Sequence, residues 1–163
     1  MRTVKSIEDL LSITKTDSIE LANDIDCKGK HIPKLCSIFR GIIEGNNHTI
    51  SNLVIEDTVW GDEQKIALFS YLTHARIRNI RFENIKYIIN NGVYTPKVAG
   101  LGIDVADTEL ENITMTVSTS NGECIPLIYD SIGGEHQSLK YICNDADYKK
   151  YQYKEGSFYE GIN

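Results

Sequence analysis

The chain has 163 residues, of which 41% are hydrophobic and 25% are charged, and its formal net charge is −6 at pH 7. This length is enough for one domain with a proper core, and because no apolar run reaches about 18 residues we expect no membrane-spanning helix. Affinity for nucleic acid comes mainly from Lys and Arg contacts to phosphate, so the acidic balance argues against direct binding to nucleic acid. It permits the opposite role, a decoy that presents carboxylates to a basic groove, although plain solubility explains the same charge.

The N-terminal segment predicts a short amphipathic helix. Ser6 can cap its N-terminus, Asp9 lies at the third helical position, and the apolar residues of 7–11 share one face. Residues 1–11 carry charges within their apolar stretch and have no small-residue cleavage site. We therefore expect no secretory signal and a cytoplasmic protein.

From residue 18 onward, β-branched and aromatic residues outweigh alanine and leucine, which favours strands over helices. Clusters of glycine, asparagine and lysine at 28–30 and 45–47 are typical turns. The predicted strands are 18–27, 38–44, 48–56, 66–72, 76–89, 98–105, 109–118, 125–132 and 138–143.

One phrase recurs along these strands: an aliphatic residue, a spacer, asparagine and a second aliphatic residue. It occurs around Asn52, Asn79 and Asn112, and a degenerate copy has Tyr141 where the asparagine should be. Successive copies are separated by roughly 30 residues, and recurrence at such spacing is typical of a stacked repeat architecture.

The asparagine interrupts the alternation of each strand. Ile50 and Asn52 should point inward, yet the apolar Leu53 follows immediately, so the two-residue period slips and the strand must bend. Asparagine suits a bend because it tolerates the left-handed conformation, and its amide can bond to an asparagine stacked above or below. The sequence therefore predicts an all-β fold, a parallel β-helix of about four to six coils. Three unrelated strands that happen to carry asparagine are the alternative. The predicted ladder consists of Asn52, Asn79 and Asn112.

In this fold, the single domain 1–163 would comprise a cap helix (1–17), the coils (18–143) and a C-terminal cap or tail (144–163). A stacked coil has an open end that must be covered, and the N-terminal helix suits that purpose.

Charged residues test the register of the copies. If the second and third copies superpose, Arg76 lies beside Glu109 and Arg78 beside Glu111, because both pairs have the spacing that separates Asn79 from Asn112. Lys140 would then fall on the other side of Glu111. Exposed pairs of this kind contribute only about 0–1 kcal/mol each, so their main effect is to disfavour a slipped register. We interpret all five residues as structural rather than ligand-binding.

Two aromatic segments are candidate binding surfaces. Trp60 lies in a charged excursion with Asp57, Asp62 and Glu63, where it is either an exposed anchor ringed by acids or a cover for a coil end. The C-terminal segment is polar and rich in tyrosine, which suits either a cap over the last coil or a recognition surface. Its candidate residues are Tyr148, Tyr151 and Tyr153.

The sequence offers no catalytic constellation, so we predict no catalytic residue, metal or cofactor. Glycan cleavage needs paired carboxylates, and the candidates Asp104 and Asp107 flank a turn, where aspartate commonly bonds to its own backbone. A spaced Asp-x-Asp calcium pattern and a CxxC pair are both absent. The cysteines are scattered and are interpreted as reduced thiols, with a disulfide framework as the alternative. They are Cys27, Cys36, Cys124 and Cys143.

Residues 21–26 and 39–53 resemble the opening of right-handed parallel β-helix domains of the pectin-lyase-like kind, and are closest to those with GLUG-type repeats in bacterial surface proteins. Residues 66–70 with 77–80, and 99–102 with 110–113, look like two such repeats. The resemblance covers roughly residues 18–143 and implies a right-handed parallel β-helix. Members of the family include polysaccharide lyases, hydrolases, adhesins and phage proteins, so the resemblance specifies a fold rather than a function.

We therefore expect a non-enzymatic protein that acts by binding another protein. Its specific version is an inhibitor that occludes a basic nucleic-acid-binding groove, as a phage or mobile-element anti-CRISPR protein does. No membrane partner is expected. The alternatives are a carbohydrate-binding or carbohydrate-cleaving module of a bacterial surface protein, and a homo-oligomer that stacks through its coil ends.

Overall fold

The structure is a computed structural model that describes residues 1–58, 65–90, 96–119, 122–144, 150–153 and 160–162. It contains one helix and 17 strands in these ranges. They are β1 (Arg2–Val4), α1 (Ile7–Leu11), β2 (Ser18–Leu21), β3 (Ile25–Ile32), β4 (Cys36–Phe39), β5 (Ile42–Glu44), β6 (Thr49–Thr58), β7 (Lys65–Ile66), β8 (Phe69–Thr73), β9 (Arg76–Asn90), β10 (Lys97–Val98), β11 (Gly102–Ala106), β12 (Glu109–Thr119), β13 (Glu123–Cys124), β14 (Ile128–Ile132), β15 (Glu135–Asn144), β16 (Lys150–Tyr153) and β17 (Glu160–Ile162).

The strands form three sheets. Sheet A has the order β1-β2-β5-β9-β12-β15-β16-β17, with β6 also paired to β9 and β3 to β6; sheet B has the order β14-β11-β8-β4, and sheet C the order β13-β10-β7. Pairing among the described strands is parallel except at β15–β16 and β16–β17. Three successive trios, β7–β9, β10–β12 and β13–β15, each place one strand in sheet C, one in sheet B and one in sheet A. The predicted all-β fold with parallel strands is confirmed.

The core forms where the strands point their alternate side chains inward. Strand β12 shows this pattern, with Ile113, Met115 and Val117 at most 2% exposed and polar residues between them. Burial of one such aliphatic side chain contributes about 1.5–3 kcal/mol. Two tyrosines are fully buried: the Tyr87 hydroxyl donates to the Gly100 carbonyl at 2.5 Å, and burial raises the pKa of both Tyr87 and Tyr141.

Helix α1 begins as predicted. The Ser6 hydroxyl accepts from the Asp9 amide at 3.1 Å, and the Asp9 carboxylate accepts from the Lys5 amide at 2.9 Å. The helix buries Leu10, which is 1% exposed. In the described part of the chain, no helix combines the length and apolar character needed to cross a bilayer.

The repeated asparagines bend the strands but do not form one column. Asn52, Asn79 and Asn112 have φ angles of 57°, 54° and 51°, in the left-handed region predicted for a bend. Asn112 Nδ2 donates to Asn79 Oδ1 at 3.0 Å, so these two copies are stacked. Asn52 instead accepts from Asn84 Nδ2 at 2.7 Å, and its own amide donates to Asp26 at 2.9 Å. The single predicted ladder is therefore wrong for Asn52.

Its physical reason is the length of β9. This strand pairs with β5 through residues 76–78 and with β6 through residues 81–90. The phrase in β6 therefore lies beside the second half of β9, past the asparagine of the second copy. A second asparagine bend at Asn84, with φ of 52°, meets it there.

The fourth copy is also in another register than predicted. Glu109 pairs with Glu135, so the offset between β12 and β15 is shorter than the spacing of the repeated phrase. The bend of β15 is therefore at Ser138, with φ of 54°, while Tyr141 points into the core. Lys140 lies beside Thr114, so its predicted place next to Glu111 is wrong.

Two of the four cysteines are joined, contrary to the expectation of reduced thiols. Cys124 in β13 and Cys143 in β15 form a disulfide, with their Cα atoms 5.8 Å apart. Both side chains point into the core of the last trio of strands, which brings them together although their sequence separation is 19. Cys27 and Cys36 are free.

Candidate functional site

The predicted tryptophan surface is described only in part. Trp60, Asp62, Glu63 and Tyr148 lie outside the described residues, and only the backbone of Tyr151 and Tyr153 is described, in β16. Asp57 is described, and its Oδ2 lies 3.6 Å from Lys34 Nζ. Its carboxylate is therefore already balanced by a cation of the same chain.

Sheet A carries the predicted charge stack on its outer face. Strand register places Arg76 beside Glu109 and Arg78 beside Glu111, as the spacing of the repeated phrase predicts. Arg76 forms an ion pair with Glu109, and its hydrogen bond lowers the pKa of that carboxyl. Arg78 bonds to Glu44 at 2.6 Å. Because these charges are matched within the chain, this face has little electrostatic need for a partner.

Sheet B presents a different outer face. Strands β8, β11 and β14 direct polar, aromatic and aliphatic residues outward around a shallow cavity of about 140 Å³. Tyr71 is 50% exposed and Ile132 is 73% exposed, which is unusual for side chains of this size. We define the Tyr71 face as the residues Tyr71, Thr73, Asp104, Ala106, Asp130 and Ile132.

Two carboxylates meet in register on the Tyr71 face. Asp104 of β11 pairs with Asp130 of β14 on one side and with Tyr71 of β8 on the other. Neighbouring strands are about 4.8 Å apart, and like charges directly opposite each other are destabilising. Within the described ranges, neither aspartate forms an ion pair. The face therefore holds two uncompensated negative charges beside an exposed aromatic ring.

The pairing of Asp104 with Asp107, considered from the sequence, is not what the structure brings together. Asp107 has φ of 47° at the corner between sheets B and A, where its amide donates to the Ile132 carbonyl at 2.9 Å. Its carboxylate lies 3.8 Å from His74, another corner residue with positive φ. Asp107 is thus a turn residue. Asp130, the neighbour of Asp104, was missed because its only sequence signal is the offset between β11 and β14, which the repeated phrase does not reveal.

Two further histidine–carboxylate pairs lie on exposed surface. His31 Nδ1 is 2.5 Å from Glu56 Oε2, and His48 Nδ1 is 3.1 Å from Asp24 Oδ1. The hydrogen bond with His31 lowers the pKa of Glu56. These pairs link strands β3 and β6 or the residues that flank them, so their role is structural. No group of three or more metal-ligating side chains occurs within the described residues.

Comparisons of the chain with protein-family models, curated proteins and solved structures found no match. The resemblance to pectin-lyase-like domains therefore remains a prediction from the residues, and the function has to be argued from the Tyr71 face.

Proposed function

We propose that the chain is a non-enzymatic binding protein that uses the Tyr71 face to hold a basic surface of a partner protein. The observation that supports this is the in-register pair Asp104 and Asp130, uncompensated beside the exposed ring of Tyr71. A Lys or Arg of a partner placed between the two carboxylates converts a repulsion into two attractions. The binding energy thus includes the relief of a cost that the free protein carries.

The apolar part of the face supplies the other requirement of a protein interface. Tyrosine is enriched among residues that dominate binding energy, and Tyr71 stands at the centre of the face with Ile132 at its edge. Charged residues then surround an apolar contact, as in other non-obligate interfaces.

The partner class proposed is a protein with a basic nucleic-acid-binding groove. The net charge of −6 attracts such a groove over long range and speeds association at low salt. A chain of this kind acts as an inhibitor that competes with nucleic acid, as proposed for a phage or mobile-element anti-CRISPR protein.

We further propose that the three sheets are the faces of a right-handed parallel β-helix. Support comes from the chain visiting sheets C, B and A in the same order in three successive trios, because parallel strands joined by crossovers are right-handed in almost all proteins. Helix α1 precedes the first coil and would cover its open end, with Leu10 in the core.

The test is capture of proteins from a lysate of the source organism by three forms of the tagged chain: wild type, the Asp104→Asn/Asp130→Asn variant, and the Glu111→Gln/Glu135→Gln variant. Both variants lose two negative charges, but only the first loses them from the Tyr71 face. We expect a partner that the wild type and the second variant retain in stoichiometric amounts and the first variant loses. Equal retention by all three forms would remove the face from the proposal.

A second function has one observation in its favour. An exposed tyrosine beside two carboxylates on neighbouring strands is also an arrangement suited to a sugar ring, and paired carboxylates are the groups that cleave glycosidic bonds. A glycan array and a reducing-sugar assay with the wild type and a Tyr71→Ala variant test this carbohydrate module. Absence of signal in both ends it.

A further inference from the structure

We propose that the exposed edge of β14 receives an extended segment of the partner as an added strand of sheet B. This inference rests on the proposed function and specifies how the partner binds. It identifies the partner segment by its chemistry, a basic residue followed two positions later by an apolar one.

The edge itself is the first observation. Among the described residues, β14 pairs only with β11, and Tyr129 to Ile132 are all exposed. Sheet A is different at the same end of the molecule, because β16 and β17 continue it in antiparallel pairing beyond β15. An edge strand with unpaired N–H and C=O groups is a template for another strand, and peptides bind to sheet edges in this way.

The second observation is that this edge is held in place. The Cys124–Cys143 disulfide joins β13, which precedes β14, to β15, which follows it. Both neighbours of β14 along the chain are therefore covalently tied to each other. Binding to a pre-ordered strand avoids part of the entropy loss that a mobile strand would suffer.

The register specifies the side chains of the incoming strand. Outward-facing residues of successive strands line up in columns, and one column runs through Ile38, Tyr71, Asp104 and Asp130. A strand added beside β14 continues this column next to Asp130 and the neighbouring column next to Ile132. A basic side chain meets the first position and an apolar side chain the second.

A second copy of this chain fits the edge less well. Stacking β4 of another copy in the same columns places its Ile38 beside Asp130 and its Arg40 beside Ile132, which leaves both the charge and the apolar side chain mismatched. Charge complementarity thus favours a partner with a basic-x-apolar segment over self-assembly.

The test uses isotope-labelled protein and three synthetic heptapeptides, blocked at both ends, with NMR titration and amide hydrogen exchange. The first peptide is Thr-Thr-Lys-Thr-Ile-Thr-Thr, the second has Glu in place of Lys, and the third is the first with alternate backbone amides N-methylated. We expect the first peptide to shift and protect the amides of Tyr129 to Ile132. The Glu peptide should bind about fivefold more weakly, as expected for loss of one ion pair of about 1 kcal/mol, and the N-methylated peptide should not bind.

Variants of one residue complete the test. Asp130→Asn should lose the preference for Lys over Glu, and Asp130→Lys should reverse it. Equal binding of the N-methylated peptide, or protection confined to strands other than β14, would overturn the proposal. So would a solution mass that rises with protein concentration together with protection of β14 in the absence of peptide.

Failure of this proposal and failure of the proposed function give different results. If a captured partner is lost from Asp104→Asn/Asp130→Asn while the first peptide leaves β14 unprotected, the partner binds through side chains and only the added strand is wrong. If the peptide protects β14 but the captured partner is retained by that variant, the edge is real and the partner assignment is wrong.

Discussion

Loss of the Cys124–Cys143 disulfide should lower the free energy of unfolding by about 3 kcal/mol. The bond closes a loop with a sequence separation of 19, and the chain-entropy cost of opening such a loop in the unfolded state gives this magnitude. Both sulfur-bearing side chains are at most 1% exposed, so replacing them with alanine adds a small packing loss. The change removes a constraint on the unfolded chain more than a contact of the folded one.

Urea denaturation followed by far-ultraviolet circular dichroism measures the effect, with and without a reductant. For m-values of about 1–3 kcal/mol per M, the midpoint should fall by about 1–3 M when the wild type is reduced. The Cys124→Ala/Cys143→Ala variant should show the lower midpoint in both conditions. The Cys27→Ala/Cys36→Ala variant, which keeps the disulfide, should respond to the reductant like the wild type. A reductant effect on the wild type below about 1 kcal/mol, or an equal effect on the first variant, would refute the reasoning.

Three further predictions concern single side chains. Tyr87→Phe should lower stability by about 1 kcal/mol because it removes a buried hydrogen bond, whereas Tyr141→Phe should be neutral because that buried hydroxyl has no hydrogen-bond partner among the described residues; urea denaturation of both variants decides. Asn79→Ala should cost about 1–2 kcal/mol and Asn79→Gly less, since only glycine tolerates positive φ without a side chain that clashes, and equal losses would contradict a conformational origin. The pKa of Glu56 is lowered by its hydrogen bond with His31, so this bond stabilises the fold above the ordinary glutamate pKa of about 4.3 and is lost as the pH falls through the lower folded value. Stability measured from pH 7 to pH 3 should therefore fall less steeply for Glu56→Gln than for the wild type, and identical slopes would exclude the contribution.

Sequence reasoning worked where local chemistry decides the structure. Asparagine is one of few residues that accept positive φ, so the bends at Asn52, Asn79 and Asn112 could be predicted from residue type. The offset between β9 and β12 could be predicted because it matches two opposite charges at once, those of residues 76 and 78 with those of residues 109 and 111. Ser6 and Asp9 at the start of α1 are an equally local signal.

Features that depend on the distance between strands could not be predicted in this way. The apolar pattern around Tyr141 fits the asparagine phrase, yet hydrogen bonding across the sheet follows a shorter offset and places Ser138 at the bend. The same shortening brings Asp104 beside Asp130 and leaves Lys140 away from the glutamate of the charge stack. Cysteine pairing likewise depends on which side chains face inward from strands that are not adjacent in sequence.

The connections between the three sheets differ in how much they vary. Two residues separate β8 from β9, β11 from β12 and β14 from β15, so the corner from sheet B to sheet A keeps its length. The connection from sheet A to sheet C shortens from six residues after β6 and after β9 to three after β12. The offset between the second and third trios is nevertheless identical in all three sheets. Evolution can therefore add or delete segments at the A-to-C corner while the other two corners keep the trios aligned, and the same corner is where an engineer could graft a foreign epitope.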